Sequence, residues 1–197
     1  MVRVFRPLPV ERLKLLVFDL DGTLIDSAQD LCNSVNAALE HVDLAPLADP
    51  LIASFVGNGV PMLMRRSLAQ EGGTTPELVD EHLLVQATAF FLGYYREHKL
   101  DFTYAYEGVL EALAALKELH NAPDGTPRTM AVLTNKPVRP ARDICAALGM
   151  APYFLNVYGG NSFATKKPDP EGLRALMAEA GALAEETAMI GDSRVDV

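Results

Sequence analysis

Residues able to do chemistry follow short apolar runs. Asp19 and Asp21 come after residues 13–18, Thr134 and Asn135 after 129–133, and Asp192 after 187–190, while Lys167 lies in a loop beyond 154–158. Asp19, Asp21 and Asp192 are hard oxygen donors. Gathered at one edge they would repel one another unless a cation sat among them. A small number of oxygen ligands suits Mg²⁺, which keeps several waters and takes a substrate phosphate as well. A carboxylate held beside that cation can attack phosphorus and carry the phosphoryl group. Lys167 offers a compact positive charge to such a nucleophile and to phosphoryl oxygens. Thr134 offers a hydroxyl donor, and backbone N–H groups after Asp19 can add the donors of an anion nest. No G-x-x-x-x-G-K-[ST] run is present, which argues against a P-loop nucleotide site.

The elements that must position these groups are legible. Apolar runs at 13–18, 129–133, 154–158 and 187–190 read as strands covered on both faces, as in a parallel sheet. Helical patterns separate them at 108–120, at 137–148 before Gly149, and at 170–180 before Gly181. Alternation of this kind predicts a parallel α/β sheet. Ligands then gather outside the carboxyl ends of the strands, where the polar residues above would converge. Residues 28–104 break the alternation and read as helices without a convincing strand. Ser27 with Asp30 has the spacing of an N-terminal cap. Thr75–Pro76 reads as the start of another helix, and Leu84, Ala87, Phe91 and Tyr95 repeat at core-facing helical spacing. Residues 121–127 carry Pro, Asp and Gly and read as a loop.

Composition narrows the function classes. The chain has 197 residues, 49% hydrophobic and 22% charged, which suits one globular core with an insert. Its net charge of −9 argues against wrapping nucleic acid. It does not argue against a small anionic substrate, because a local field can oppose the net charge. Cys32 and Cys145 match no metal spacing and read as free buried thiols of a reducing compartment. No apolar stretch approaches the roughly 18 residues of a membrane span. Glu11, Arg12 and Lys14 break any signal-peptide core, so the expected location is the cytoplasm.

Four segments carry a family resemblance. Asp19-Leu-Asp-Gly-Thr-Leu-Ile-Asp-Ser27, Thr134-Asn-Lys-Pro137, Lys167-Pro-Asp-Pro170 and Gly191-Asp-Ser-Arg-Val-Asp196 resemble, in order, the four motifs of the haloacid dehalogenase superfamily in its phosphatase form. The resemblance implies an α/β fold, a parallel Rossmann-like sheet core with an inserted all-helical cap domain. The core would comprise residues 1–27 and 105–197, and the cap 28–104. Phe55-Val-Gly-Asn-Gly-Val60, the segment with Arg65 and Arg66, Tyr94-Tyr95 and Tyr106-Glu-Gly-Val109 resemble the cap of the phosphoglycolate phosphatase group.

The resemblance also implies roles. Asp19 would be the nucleophile. Asp21 would protonate the leaving alkoxide and then deprotonate the hydrolytic water. Mg²⁺ would be held by the Asp19 carboxylate, the Asp21 backbone carbonyl and the Asp192 carboxylate. Thr134 and Lys167 would hold the phosphoryl oxygens, Asn135 would add a backbone donor, and Asp196 would orient Lys167. Lys167 is chosen over Lys166 because it directly precedes Pro168. In the cap, Gly57, Asn58 and Gly59 would face the core, and Arg65 would bind a substrate carboxylate. Hinges would lie near 27–28 and 104–108.

Asp21 separates branches of the superfamily. A departing halide needs no proton, whereas an alkoxide does, so this residue points to phosphate esters. The expected substrate is a small phosphorylated metabolite, with phosphoglycolate foremost, handled by a monomer or homodimer without a nucleic-acid or membrane partner. Phosphomutase or pyrophosphatase chemistry on the same scaffold is the nearest alternative, and a phospho-accepting regulatory module is the alternative from another class. The sequence stops at Val197, where the family continues with a helix and at least one more strand. Those elements are expected to be missing from this chain, leaving an open sheet edge.

Overall fold

Alternate side chains of a strand point to opposite faces, so a strand buried on both faces needs an unbroken apolar run. The central strand β1 (Leu15–Phe18) has one, and all four of its residues are buried. In the computed structural model, which describes residues 11–118 and 128–196, it is followed by β2 (Ile25–Asp26), α1 (Ala28–His41), α2 (Asp49–Ala53), α3 (Val60–Glu71), α4 (Glu81–His98) and β3 (Tyr104–Ala105). Then come α5 (Val109–Glu118), β4 (Thr129–Leu133), α6 (Val138–Ala147), β5 (Val157–Tyr158), α7 (Glu171–Ala180) and β6 (Thr187–Ile190).

The main sheet has the order β5-β4-β1-β6, with every pair parallel. Leu15 and Val17 meet Leu176 and Ala182 on the α7 side. Leu16 and Phe18 meet Leu113, Ile144 and Cys145 on the side of α5 and α6. Fully burying one such side chain contributes about 1.5–3 kcal/mol. The register aligns Phe18 with Val132 on one side and with Ile190 on the other. The residues after these strand ends therefore emerge side by side.

The expected strands at 129–133 and 187–190 are present, and the one expected at 13–18 forms over its last four residues. The run at 154–158 forms a strand only at its last two residues, and Ala151–Tyr153 takes a 3₁₀ turn ahead of it. The loop expected at 121–127 and the end of the helix expected to reach residue 120 lie outside the described residues.

Residues 28–98 are helical with their own apolar core, built on Val35, Leu39, Ile52, Met64, Leu68 and Phe91. Three details differ from the sequence reading. Thr75–Pro76 opens only the 3₁₀ turn Pro76–Leu78, and the long helix α4 starts later, where Asp80 Oδ1 accepts from the Leu83 N–H at 2.9 Å. Ser27 is the residue before α1 but makes no capping bond. Its hydroxyl donates to Asp21 Oδ1 at 2.6 Å instead. Asp30 is also diverted. Its buried carboxylate accepts from the Phe102 N–H, the Thr103 N–H and Thr103 Oγ1.

These bonds tie together the two places where the chain crosses between the sheet and the helices. The same junction holds β2 and β3, a two-residue antiparallel pair that the sequence did not reveal. Asp30→Ala strands buried donors, which cost about 1–3 kcal/mol each when unpaired. It is expected to lower the unfolding free energy by roughly 2–4 kcal/mol in a denaturant titration. Unchanged stability would mean that this junction is not held by Asp30.

Candidate active site

Asp19 leaves the end of β1 between the ends of β4 and β6, and its N–H donates to the Ile190 carbonyl at 2.8 Å. The Leu20 N–H donates to Asp19 Oδ1 at 2.7 Å, and Lys167 Nζ stands 2.9 Å from the same oxygen. Oδ2 accepts no hydrogen bond from the described residues. Lys167 is itself buried and also reaches Asp196 Oδ1 at 2.6 Å. The second Asp196 oxygen accepts from the Ser193 N–H and hydroxyl.

Burial pushes the Asp19 carboxyl above the ordinary carboxylate range, and Lys167 only partly offsets this. For Asp196, burial acts in the same direction, but the hydrogen bonds from Lys167 and Ser193 outweigh it and hold the carboxyl below that range. Lys167 is thus seated between the two acids by its own ion pairs. Lys166 is exposed but not merely solvated, because its Nζ donates to the Asn58 carbonyl at 2.7 Å.

Oxygens of Asp19, Asp192 and Asp196 all lie within 4.8 Å of one another. Asp19 and Asp192 each keep an oxygen without a hydrogen bond from the described residues, whereas both Asp196 oxygens are engaged. That donor set fits a hard divalent cation held by Asp19 and Asp192, with Asp196 behind Lys167. The Asp21 side chain is not in this group. Gly22 makes the arrangement possible. Its φ of +82° suits glycine, and a Cβ there would stand 2.5 Å from Asp192 Oδ2. Gly191 is held in similarly close approach to the Asp196 carboxylate.

A cavity of about 240 Å³ opens over Asp19 and is also lined by Asp21, Thr134, Asn135, Gly57 and Gly59. The loop of the helical insert that contains Gly57 docks on the sheet through the Asn135 side chain, whose amide donates to the carbonyls of Gly57 and Lys167. Thr134 Oγ1 accepts from the Lys136 N–H at 3.2 Å. Arg65 requires a correction. It does not line the cavity, and its guanidinium reaches Glu81 and the Pro76 carbonyl. Asn58 likewise contributes its carbonyl to Lys166 rather than a side chain to the cavity.

Two lining residues had no assigned role in the sequence reading. Lys136 Nζ is buried and pairs with Asp21 Oδ1 at 2.9 Å. Burial favours loss of its proton, but Asp21 reverses the balance and holds the ammonium charged. Tyr95 belonged to the apolar stripe of α4, yet it too faces the cavity. A lysine directly after a buried strand and two polar residues was the available signal for Lys136. The apolar stripe of α4 does not distinguish Tyr95 from its core neighbours, although Tyr94-Tyr95 belongs to the cap resemblance.

A family model described as haloacid dehalogenase-like hydrolase matches residues 16–197. The chain is 39% identical over 189 residues to the phosphoglycolate phosphatase of Vibrio vulnificus, covering 95% of this chain and 78% of that protein. It is 38% identical over 184 residues to the phosphoglycolate phosphatase of Rhodospirillum rubrum, covering 93% and 73% respectively. Its fold is similar to the crystal structure of a predicted phosphoglycolate phosphatase from Haemophilus somnus, with a TM-score of 0.83, 31% identity, and coverage of 94% of this chain and 79% of that one.

Gly22→Ala is expected to displace the Asp192 carboxylate and weaken divalent-cation binding by roughly 10–100-fold in a calorimetric titration with MgCl₂. Affinity equal to that of the parent protein would show that Asp192 does not hold the ion.

Proposed function

From the chain's membership of the haloacid dehalogenase-like hydrolase family, we propose that this phosphatase hydrolyses phosphoglycolate, or a closely related small phosphomonoester, through a phosphoaspartate on Asp19. The observation that carries this reading is the setting of Asp19. It stands at the tip of the central strand, with one oxygen fixed by Leu20 and Lys167 and the other facing a cavity.

In the first step one Asp19 carboxylate oxygen forms a bond to phosphorus as the ester P–O bond breaks. Asp21 gives its proton to the departing alkoxide, which leaves as an alcohol. In the second step Asp21 takes a proton from water, whose oxygen bonds to phosphorus. The Asp19 carboxylate is restored and inorganic phosphate departs. One carboxyl group thus serves as acid and then as base. Ser27 and Lys136 hold Asp21 by one oxygen. Lys167 and Thr134 stabilise the phosphoryl oxygens by charge and hydrogen bond, in positions set before the substrate arrives. Mg²⁺, held by the Asp19 and Asp192 carboxylates and the Asp21 main-chain carbonyl, would draw negative charge off the phosphoryl group.

Residues 28–104 serve in this reading as the cap, and residues 1–27 and 105–197 as the core. The apolar body of the insert, joined to the core at the β2–β3 pair, would exclude water while the Gly57–Gly59 loop closes over the leaving group.

Asp19→Asn is nearly isosteric and should keep the far-ultraviolet circular dichroism of the parent protein. Phosphate release from phosphoglycolate should fall by roughly 10⁴-fold or more, as for loss of a nucleophile. EDTA should abolish release, and added MgCl₂ should restore it. Parent-like turnover by Asp19→Asn, or turnover indifferent to EDTA, would refute the proposed chemistry.

A further inference from the structure

We propose that Tyr95 and Lys136 together form a subsite for a carboxylate on the leaving group, so that the enzyme selects phosphate esters of hydroxy acids over phosphate esters of neutral alcohols. This rests on the phosphatase reading above and names the substrate class it acts on.

Tyr95 sits on α4 of the helical insert with only 2% of its surface exposed. Its hydroxyl is buried and has no hydrogen-bond partner among the described residues. A buried hydroxyl normally finds one, and leaving it unpaired is costly. Its ring lines the cavity over Asp19. Lys136 lines the same cavity from the sheet side, with its ammonium 4.8 Å from the centre of the Tyr95 ring. That ammonium has three N–H donors. It bonds Asp21 Oδ1 at 2.9 Å and also interacts with the Tyr95 hydroxyl oxygen beside it. The Tyr95 O–H and the remaining N–H of the ammonium thus stand together without acceptors, next to the group proposed to protonate the leaving oxygen.

The acceptor that satisfies them has a defined chemistry. It carries negative charge, because the cavity edge is otherwise acidic with Asp19, Asp21, Asp26 and Asp192, and Lys136 is the one cation lining it among the described residues. It lies close to the ester oxygen, because Lys136 touches Asp21. A carboxylate one carbon from the ester oxygen meets both requirements. Asp26 is not a competitor, since its oxygens already accept from the Ala28 N–H and the Tyr104 hydroxyl. Arg65, the sequence-based candidate for carboxylate binding, is committed elsewhere. Burial pushes the Tyr95 phenol above its ordinary range, so it remains a neutral donor.

Two readouts test the subsite. The first is equilibrium binding, in the presence of MgCl₂, of 3-phosphonopropionate and propylphosphonate, two non-hydrolysable phosphonates that differ in the terminal carboxylate. The parent protein should bind 3-phosphonopropionate more tightly. Tyr95→Phe and Lys136→Met should each lose roughly 10–100-fold of that preference, the range of a hydrogen bond to a charged group. Their affinity for propylphosphonate should move by less than about threefold for Tyr95→Phe.

The second readout is turnover of phosphoglycolate against ethyl phosphate. Tyr95→Phe should raise KM for phosphoglycolate and leave kcat/KM for ethyl phosphate near the parent value. Its melting temperature should equal or exceed that of the parent, because an unpaired buried hydroxyl is removed. Equal affinity of the parent protein for the two phosphonates would overturn the subsite, even if the phosphatase activity stands. Equal losses on both ligands, or a lower melting temperature in Tyr95→Phe, would show that Tyr95 is structural and would also overturn it. Absence of phosphate release from either ester, with the phosphonate preference intact, would overturn the phosphatase reading and leave the carboxylate subsite standing.

Discussion

Like charges held close together must be compensated, and the tip of the main sheet is organised around that constraint. Asp19, Asp192 and Asp196 bring carboxylate oxygens within 4.8 Å of one another. Lys167, buried beside them, neutralises part of this charge by pairing with Asp19 and Asp196. The two oxygens left over belong to Asp19 and Asp192, which line the cavity, where a cation would add the opposite charge that the cluster and an incoming phosphate both require. The surrounding fold serves this cluster. The apolar strand β1 delivers Asp19 to the centre, the parallel register brings Asp192 and Thr134 level with it, and Gly22 removes the one side chain that would push Asp192 away.

A second layer of organisation comes from the helical insert. It has its own apolar core, and its polar contacts with the rest of the fold include Asn135 with the Gly57 carbonyl, Lys166 with the Asn58 carbonyl, Lys136 beneath the Tyr95 ring, and the Lys99–Asp143 ion pair. Asn135 and Lys136 belong to the second sequence motif, and Lys166 directly precedes the third. The two crossing points are fixed by β2–β3 pairing and by the Asp30 carboxylate, which makes one joint out of segments 72 residues or more apart. Lys136 links the two parts, since it lies against Tyr95 of the insert and pairs with Asp21 of the core.

The core was legible because its signals are local and physical. An unbroken apolar run followed by an acid can be read without a fold, and three of the four expected strands occur as such. Asp19, Asp192, Lys167 and Asp196 converge because each lies just beyond a strand or in a loop that returns to the same edge. The parts that escaped depend on contacts distant in sequence. Ser27 and Asp30 have capping spacing, but partners across the fold, Asp21 for one and Thr103 for the other, offered better hydrogen bonds. Arg65 had the right chemistry for a carboxylate but the wrong direction on its helix, where Glu81 takes it. Tyr95 was hidden by periodicity, since a stripe at helical spacing records which face is buried and not whether a cavity lies beneath it. Val157–Tyr158 is shorter than the apolar run at 154–158 suggests, and the structure gives no single cause for it.

The covalent role of Asp19 is tested most directly in the Asp21→Asn protein turning over p-nitrophenyl phosphate. That leaving group departs without a proton, so the first step proceeds while attack by water is slowed. Acid quenching followed by peptide mass spectrometry should find a phosphoryl group on the Asp19 peptide, in step with a burst of nitrophenol. A burst with the label on another residue, or sustained release of phosphate with none on Asp19, would contradict the account.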